Sequence, residues 1–301
     1  MALAAAQIGG IIPALVTAFR EDESVDLPGV RAHTRRALNA GAHGVFALGT
    51  NGEFFVLTED EKVAVLQAVV TETAGAVPVY AGTGTIGTRD GVQTARRLVA
   101  AGADVLSIIS PYFAAASQEE LYRHFRTIAE AVEVPVLVYN IPARTGVQVN
   151  PETIERLATV PNIVGVKDSS GNFDTILQYL ERTDREEFAV ISGNDALILW
   201  TLLAGGTGGI TAVANIYPRT LVEIYEAWKA GDIATARARQ DALRPIRNCF
   251  RHGNPNTVVK VAANLAGAAV GPCRAPFNHL SAEARADIEA TIAADQARGL
   301  S

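Results

Sequence analysis

The sequence predicts an α/β fold, a (β/α)8 TIM barrel with a C-terminal helical extension. Eight short apolar runs recur along the chain with helical patterns between them. The runs are continuously apolar, which is typical of parallel strands buried on both faces. From about residue 219 the pattern is helical only. We therefore expect a barrel over residues 1–230 and C-terminal helices over 231–301, packed on the barrel as a single structural unit. An open doubly wound sheet is the alternative arrangement.

The eight predicted strands are rich in β-branched and other apolar residues. In chain order they span 11–19, 44–49, 77–82, 105–110, 134–141, 163–167, 188–193 and 208–215. Capping patterns or a first-turn proline mark three helix starts, at Thr58 with Glu61, Ser117 with Glu120, and Asn150 with Pro151. Beyond the eighth barrel helix, the pattern predicts three further helices near 232–251, 256–269 and 281–298.

The composition restricts the partners of this protein. The chain has 301 residues, of which 49% are hydrophobic and 19% charged, with a net charge of -6. No basic patch is present, so we expect no binding to nucleic acid or to anionic membranes. Cys249 and Cys273 have no metal-type spacing and form no disulfide framework. This cysteine usage favours a reducing, cytoplasmic location.

Two uncharged stretches are long enough to raise the question of a membrane segment. Residues 1–19 lack a basic segment before the apolar run and contain Gly9, Gly10 and Pro13, so a signal peptide is not favoured. Residues 196–218 have the length of a membrane span but contain four glycines within five positions. A helix, a glycine loop and a buried strand explain that stretch better.

Lysine is scarce in this sequence, with only Lys62, Lys167, Lys229 and Lys260. Lys62 and Lys229 lie among other charges on amphipathic helices, which predicts exposure to solvent. Lys260 lies in a helical segment, where it would snorkel or form an ion pair.

Lys167 differs because it closes the sixth predicted strand. In barrels of this type, the chemistry lies where strands end and βα loops begin. Burial there would lower the pKa of the ammonium group and produce a nucleophilic amine. A buried ion pair with Asp168 is the alternative, and position in the sequence alone does not decide between the two.

Polar groups follow two other predicted strands. Tyr139 ends the fifth strand, where its hydroxyl would relay protons or simply be a satisfied core group. The segment Gly49–Glu53, GTNGE, follows the second strand. Its glycines allow close approach to a ligand, and its backbone N–H groups would bind an anion such as a carboxylate, although an ordinary glycine turn is the simpler interpretation.

A dinucleotide site and a metal site have less support. Residues 82–87 match G-x-G-x-x-G, but Asp104 stands at the start of the next strand rather than its end. We interpret this match as a tight βα turn, and a nicotinamide-dependent oxidoreductase is the alternative. The five histidines are scattered without metal-type pairing. We expect neither a metal nor an organic cofactor.

Taken together, the motifs resemble those of the dihydrodipicolinate synthase and N-acetylneuraminate lyase family. They are GTNGE, AGTGT, SPYF, YNIPARTG, GVKDSSG and SGND, and the similarity runs from about residue 11 to residue 266. The resemblance implies a pyruvate-dependent class I lyase, with a Schiff base on Lys167, proton relay by Tyr139 and a link to solvent through Thr50. It also implies a homo-oligomer, a dimer or a tetramer.

The same resemblance suggests how substrates bind. Backbone N–H groups of Thr50 and Asn51 would hold the carboxylate of pyruvate or another 2-oxo acid, and Gly193 and Ile210 would line the pocket. Arg144 would clamp a carboxylate on the second substrate, an aldehyde, because a guanidinium group suits bidentate recognition. The expected reaction is the condensation of pyruvate with an aldehyde, as in 4-hydroxy-tetrahydrodipicolinate synthases.

Two residues depart from the synthase pattern. Asn51 replaces the second threonine of the loop, and Phe113 replaces the second tyrosine of an aromatic pair, so one hydroxyl of the relay is missing. A 2-keto-3-deoxy sugar-acid aldolase or dehydratase of the same family is therefore the alternative function. A non-catalytic binding protein on this fold is a further alternative, because fold alone does not fix function.

Overall fold

The computed structural model describes residues 7–301, and eight parallel strands form its centre. The strands are β1 Gly10–Pro13, β2 Val45–Ala47, β3 Val79–Gly82, β4 Val105–Ile109, β5 Val136–Asn140, β6 Ile163–Asp168, β7 Ala189–Ser192 and β8 Gly208–Thr211. Hydrogen bonds join them in the order β1-β8-β7-β6-β5-β4-β3-β2. Between β1 and β2 the barrel closes through a bridge from Ala14 to Phe46. The predicted (β/α)8 barrel is confirmed. Residues 1–6 of the uncharged stretch 1–19 lie outside the described residues.

Helices alternate with the strands and then continue alone. The barrel helices are α1 Leu27–Asn39, α2 Glu59–Thr73, α3 Thr88–Ala100, α4 Gln118–Ala129, α5 Pro142–Thr145, α6 Pro151–Leu157, α7 Phe173–Arg182, α8 Ile198–Ala204 and α9 Pro218–Lys229. The C-terminal helices are α10 Ile233–Ala242, α11 Arg244–Asn248, α12 Pro255–Leu265 and α13 Ala282–Ala297. Both capping boxes form as predicted, at the starts of α2 and α4. Asn150 precedes α6 as expected, but its side chain makes no capping hydrogen bond.

The first and last strands are shorter than predicted, and Asn215 gives the reason. This buried side chain accepts a hydrogen bond from the Val16 amide at 3.0 Å and donates one to the Ala14 carbonyl at 2.8 Å. It therefore satisfies backbone groups just past β1 that a longer strand would have paired. The chain around Asn215 itself forms a 3-10 turn, Val213–Asn215.

The helix predicted over 232–251 is divided. Pro245, the second residue of α11, has no N–H to donate to the preceding turn, so a continuous helix is interrupted there. The structure accordingly shows α10, α11 and a 3-10 turn, Cys249–His252. The division of the chain at residue 230 into a barrel and a packed helical extension stays a prediction.

The interior of the barrel is filled by its own set of side chains. They form a cluster separate from the larger core between strands and helices, namely Ile8, Ile12, Ala14, Phe46, Tyr80, Val105, Leu137, Ala189, Ile191 and Ile210. A third small cluster joins Phe54 to Ile109 and Tyr139, which lie near the carboxyl ends of β4 and β5. The barrel is thus a packed core, as in other barrels of this type, and open space is confined to its mouth.

The prediction that Lys62 faces solvent is wrong. Its side chain is buried, with 5% of the residue exposed, and its ammonium lies 2.7 Å from Glu59. The cause is the packing of α2 on α3, since Thr94 of α3 also donates to Glu59 at 2.8 Å. Lys229 is exposed as predicted. No helix within residues 7–301 is long and apolar enough to cross a membrane.

Candidate active site

All seven residues that the sequence singled out line one cavity at the carboxyl ends of the strands. The cavity has a volume of about 340 Å³. The seven are Thr50, Asn51, Tyr139, Arg144, Lys167, Gly193 and Ile210. They come from five strands, β2, β5, β6, β7 and β8, or from the segments directly after them, which is where this fold places functional groups.

Lys167 lies at the centre of this arrangement. It is 4% exposed, and its ammonium nitrogen lies 3.9 Å from the centre of the Tyr139 ring and 4.7 Å from that of Phe46. Lys167 and Tyr139 are cross-strand neighbours in the register of β5 and β6, so the sheet itself fixes their proximity. Burial lowers the pKa of Lys167, and contact with Tyr139 and the carboxylate of Asp195 partly opposes that shift.

The alternative of an ion pair between Lys167 and Asp168 is wrong. Successive side chains of a strand point to opposite faces, and Asp168 points away from the cavity. It accepts hydrogen bonds from Asn140 at 2.7 Å and from the Ser170 hydroxyl at 2.6 Å. Over residues 7–301, Lys167 forms no ion pair with any carboxylate. The amine is therefore buried without a counter-charge in contact.

Tyr139 connects the amine to the loop after β2. Its hydroxyl lies 3.3 Å from the Thr50 hydroxyl, a separation somewhat longer than the usual O–H···O bond. Catalytic hydrogen bonds of empty enzymes are often long and shorten when substrate binds. Tyr139 is almost fully buried, and it lines the same cavity as Thr50 and Lys167.

The GTNGE loop has an unusual backbone. Leu48 and Glu53, on either side of the glycine-containing turn, both have positive φ, 60° and 55°. At Gly52 a Cβ atom would meet the Leu48 amide nitrogen at 3.1 Å and the Leu15 carbonyl at 3.2 Å, so any other residue would have to displace the backbone by a few tenths of an ångström. The amides of Thr50 and Asn51 donate to no protein group in the described part of the chain. Two N–H groups therefore remain available at the cavity wall.

Arg144 belongs to the short helix α5 at the rim of the cavity. Its guanidinium group donates to the Asn254 side chain at 3.2 Å and is exposed to solvent. None of the ion pairs found among the described residues includes Arg144. The cation is thus free to bind an anion that enters the cavity.

The cavity also contains polar groups that the sequence analysis did not assign. Asp195 is buried, accepts a hydrogen bond from the Val213 amide at 3.1 Å and forms an ion pair with Arg247 at 3.0 Å. Asn256 of α12 donates to the Thr50 carbonyl. Asp195 lies within the SGND motif, which marked this segment, whereas nothing local to Asn256 indicated its role.

Two other features of the sequence lie outside this cavity lining. Gly84 of the G-x-G-x-x-G turn has φ 58°, and a side chain there would meet the Phe54 ring at 2.2 Å. Close packing on Phe54 therefore explains this glycine. Phe113 is 100% exposed and has φ 78°. Its neighbour Tyr112 lines an adjoining cavity of about 200 Å³ that shares Thr50 and Arg144 with the first.

Fold and site together define a barrel enzyme with a buried, unpaired amine among tyrosine, threonine and backbone N–H groups. Comparison with known proteins gives the family. Residues 7–295 match the Dihydrodipicolinate synthetase family, and the chain belongs to it. This membership confirms the predicted class of enzyme, a lyase of the class I aldolase type.

Relatives and solved structures agree with this assignment. The chain is 42% identical to a 4-hydroxy-tetrahydrodipicolinate synthase of Methanopyrus kandleri over 284 residues, covering 93% of each chain. The prophage protein YagE of E. coli K12, of the dihydrodipicolinic acid synthase family and solved with pyruvate, is 31% identical with a TM-score of 0.93, covering 96% of this chain and 99% of that one. The chloride-inhibited dihydrodipicolinate synthase of Acinetobacter baumannii, also solved with pyruvate, is 30% identical with a TM-score of 0.92, covering 96% and 99%.

Proposed function

We propose that this enzyme binds pyruvate as a Schiff base on Lys167 and condenses it with an aldehyde, in the manner of a 4-hydroxy-tetrahydrodipicolinate synthase. The observation that carries the proposal is the Lys167 amine. It is buried, has a lowered pKa and has no carboxylate in contact within the described chain. A lowered pKa increases the fraction of neutral amine, which is the form that attacks a carbonyl carbon.

The first step forms a carbon–nitrogen bond. The Lys167 nitrogen attacks the C2 carbonyl of pyruvate, and the carbonyl oxygen takes up a proton to give a carbinolamine. Loss of this oxygen as water leaves the iminium ion. Loss of a proton from the C3 methyl group then gives an enamine, whose carbon attacks the aldehyde carbon while the aldehyde oxygen takes up a proton. Water then adds to the iminium ion that is formed again, and cleavage of the carbon–nitrogen bond releases the product and the Lys167 amine.

Tyr139 and Thr50 supply the protons for this sequence. The Lys167 amine lies 3.9 Å from the centre of the Tyr139 ring, and the Tyr139 hydroxyl lies 3.3 Å from the Thr50 hydroxyl. In this position Tyr139 protonates the leaving oxygen of the carbinolamine, and Thr50 connects it toward solvent. Phe113 has no hydroxyl, and it does not line the cavity, so the relay of one chain consists of these two groups.

The carboxylate of pyruvate binds to the GTNGE loop. The free amides of Thr50 and Asn51 face an anion as a pair of donors, and hydrogen bonds to a charged acceptor are roughly twice as strong as neutral ones. Gly193 and Ile210 line the same cavity. A side chain at Gly193 would lie 3.0 Å from the Lys167 side chain, so glycine there leaves room for the substrate.

Arg144 selects the second substrate. It is the exposed cation of the cavity without an acidic partner in the described residues, whereas Arg247 is neutralised by Asp195. An aldehyde that carries a carboxylate satisfies Arg144, and a neutral aldehyde does not. This supports a synthase-type partner.

A second candidate is the aldol cleavage or dehydration of a 2-keto-3-deoxy sugar acid on the same lysine. Two observations favour it, the Asn51 side chain at the cavity wall and the absence of a hydroxyl at Phe113. An amide group next to the pyruvate site suits the hydroxyl groups of a sugar acid. Both candidates share the Schiff base and differ only in the second substrate.

Borohydride trapping tests the shared chemistry. Incubation with pyruvate and borohydride, followed by intact-protein mass, should show one reduced pyruvate adduct per chain. No adduct with pyruvate or any other 2-oxo acid would leave the non-catalytic binding protein as the remaining interpretation. Assay of pyruvate with a panel of acidic and neutral aldehydes, alongside 2-keto-3-deoxy sugar acids, then decides between the two candidates.

Location and assembly belong to the same proposal. The two cysteines are buried free thiols, which is consistent with a cytoplasmic enzyme. The fully exposed Phe113 is consistent with a homo-oligomer, a dimer or a tetramer, in which a second copy covers it. Size-exclusion chromatography with light scattering would measure the number of chains.

A further inference from the structure

Glu53, at the end of the GTNGE loop, is held in a conformation that costs energy. Its φ of 55° lies in the left-handed region, and its carboxylate is 0% exposed. A charged, non-glycine residue with positive φ persists only where the surrounding structure over-determines it. The contacts of Glu53 should therefore show what fixes the loop.

Those contacts come from the C-terminal part of the chain. The Lys260 ammonium of α12 lies 2.7 Å from the Glu53 carboxylate, and the Arg274 amide donates to it at 3.1 Å. Lys260 is itself 1% exposed, donates to the Pro272 carbonyl at 2.8 Å and lies 4.1 Å from the centre of the Phe19 ring. Both charges are thus removed from water and depend on one another.

Further hydrogen bonds fix the backbone of the same loop. The Thr50 carbonyl accepts from the Glu53 amide at 3.1 Å and from the side chain of Asn256, which lies one turn before Lys260 on α12. The Thr17 hydroxyl donates to the Gly52 carbonyl at 2.7 Å. The carbonyls of Thr50 and Gly52 are therefore both fixed by hydrogen bonds, and Asn51 lies between them.

We propose that the Glu53–Lys260 ion pair is a positioning device that holds the Thr50 and Asn51 amides and the Thr50 hydroxyl in the geometry needed to bind a 2-oxo acid. Neither residue touches the reacting atoms, because neither lines the cavity around Lys167. Lys260 holds the Glu53 carboxylate in an ion pair, and the Glu53 amide donates to the Thr50 carbonyl. The Thr50 hydroxyl in turn lies 3.3 Å from the Tyr139 hydroxyl. This inference rests on the proposed function and makes α12 part of the substrate-binding apparatus.

The test compares two buried lysines. Lys260→Met keeps the apolar stem and removes the charge from the pair. Lys62→Met is the matched control, because Lys62 is also buried and paired with a glutamate, Glu59. Its ammonium forms no hydrogen bond or ion pair with the GTNGE loop among those found in residues 7–301. The double variant Glu53→Gln with Lys260→Met leaves no unpaired buried charge and carries the test if Lys260→Met does not fold.

The readout is the pyruvate concentration that gives half-maximal borohydride trapping, measured well below the melting temperature. Small displacements of positioning groups cost up to about 10²-fold, so we expect the half-saturating concentration to increase roughly 10- to 100-fold in the Lys260→Met and double variants. Lys62→Met should leave it unchanged. A lower melting temperature with unchanged half-saturation would make the pair purely structural and overturn the proposal.

A second readout does not depend on the substrate. Hydrogen exchange of the peptide that spans residues 48–56, followed by mass spectrometry, should be faster in Lys260→Met and unchanged in Lys62→Met. If the wild-type enzyme is not trapped with pyruvate, the proposed function fails, and this exchange still tests the ion pair. Equal exchange in all variants would contradict the positioning role whether or not pyruvate is the substrate.

Discussion

Lys167 and Lys260 are two buried lysines in different parts of the molecule, and burial lowers the pKa of both. Lys260, on α12, has the Glu53 carboxylate at 2.7 Å. Lys167, at the end of β6, has aromatic rings around it, and Tyr139 at 3.9 Å is the nearer one. A carboxylate in contact favours the charged ammonium, whereas burial without one favours the neutral amine. The presence or absence of a carboxylate in contact therefore distinguishes the structural lysine, Lys260, from the nucleophile, Lys167.

The largest loss of activity is expected from a substitution of Tyr139, the residue whose ring lies over the Lys167 amine. Tyr139→Phe keeps the ring beside Lys167 and removes only the hydroxyl. Because general acid–base groups typically contribute ~10² to 10⁴-fold, turnover should fall by about that factor. Pyruvate should still be trapped, but more slowly, because Tyr139 also protonates the leaving oxygen of the carbinolamine. Steady-state kinetics and intact mass measure the two properties separately. An unchanged turnover number would make Tyr139 an ordinary core residue.

A smaller effect is expected at Arg144. Like Lys167, it forms no ion pair with a carboxylate of the described residues, but unlike both lysines it is exposed to solvent. Arg144→Ala should increase the Michaelis constant for an aldehyde that carries a carboxylate. Hydrogen bonds to charged groups are worth about 1.5–3 kcal/mol, which corresponds to roughly 10- to 150-fold. A neutral aldehyde is the control and should be affected little. Equal effects on both aldehydes would indicate a role in folding.

The pH dependence of trapping gives a third test. Because burial lowers the pKa of Lys167 below 10.5, the neutral amine and the trapping rate should rise with pH and level off below that value. Asp195 opposes the shift, since its carboxylate favours the charged form. Asp195→Asn should therefore move the midpoint to lower pH. A midpoint that moves to higher pH, or does not move, would contradict this electrostatic account.

The lowered pKa of Lys167 also predicts how the free energy of unfolding depends on pH. Between the folded-state pKa of Lys167 and 10.5, the unfolded chain binds more protons than the native chain, so stability rises with pH in that window. The Lys167→Met variant should lack this contribution. The measurement is the melting temperature of both proteins as a function of pH. If the melting temperatures of the wild-type and Lys167→Met proteins change equally across this window, the prediction is wrong.

The barrel and the positions of Lys167 and Tyr139 were predictable because both rest on local patterns. Apolar runs mark the strands, and strand ends meet at one edge of a parallel barrel. The same reasoning brought the Gly49–Glu53 loop to that edge, whereas Arg144 was identified through the resemblance to a known family. These predictions needed no knowledge of which side chains touch.

Contacts between distant segments were not predictable in this way. Asn256 binds the Thr50 carbonyl across 206 positions, and no local pattern reports such a pairing. The burial of Lys62 depends on how α2 packs against α3, which periodicity within α2 does not show. Likewise, the early end of β1 depends on the side chain of Asn215, 201 positions from the Ala14 carbonyl to which it donates.

The site of covalent trapping tests the difference between the two lysines most directly. Wild-type, Lys167→Ala and Lys260→Met proteins would be reduced with borohydride at saturating pyruvate, digested and mapped by peptide mass. We predict an adduct on Lys167 in the wild-type and Lys260→Met proteins and none in Lys167→Ala. An adduct on Lys260, or one that survives in Lys167→Ala, would contradict the claim that the unpaired buried lysine is the nucleophile.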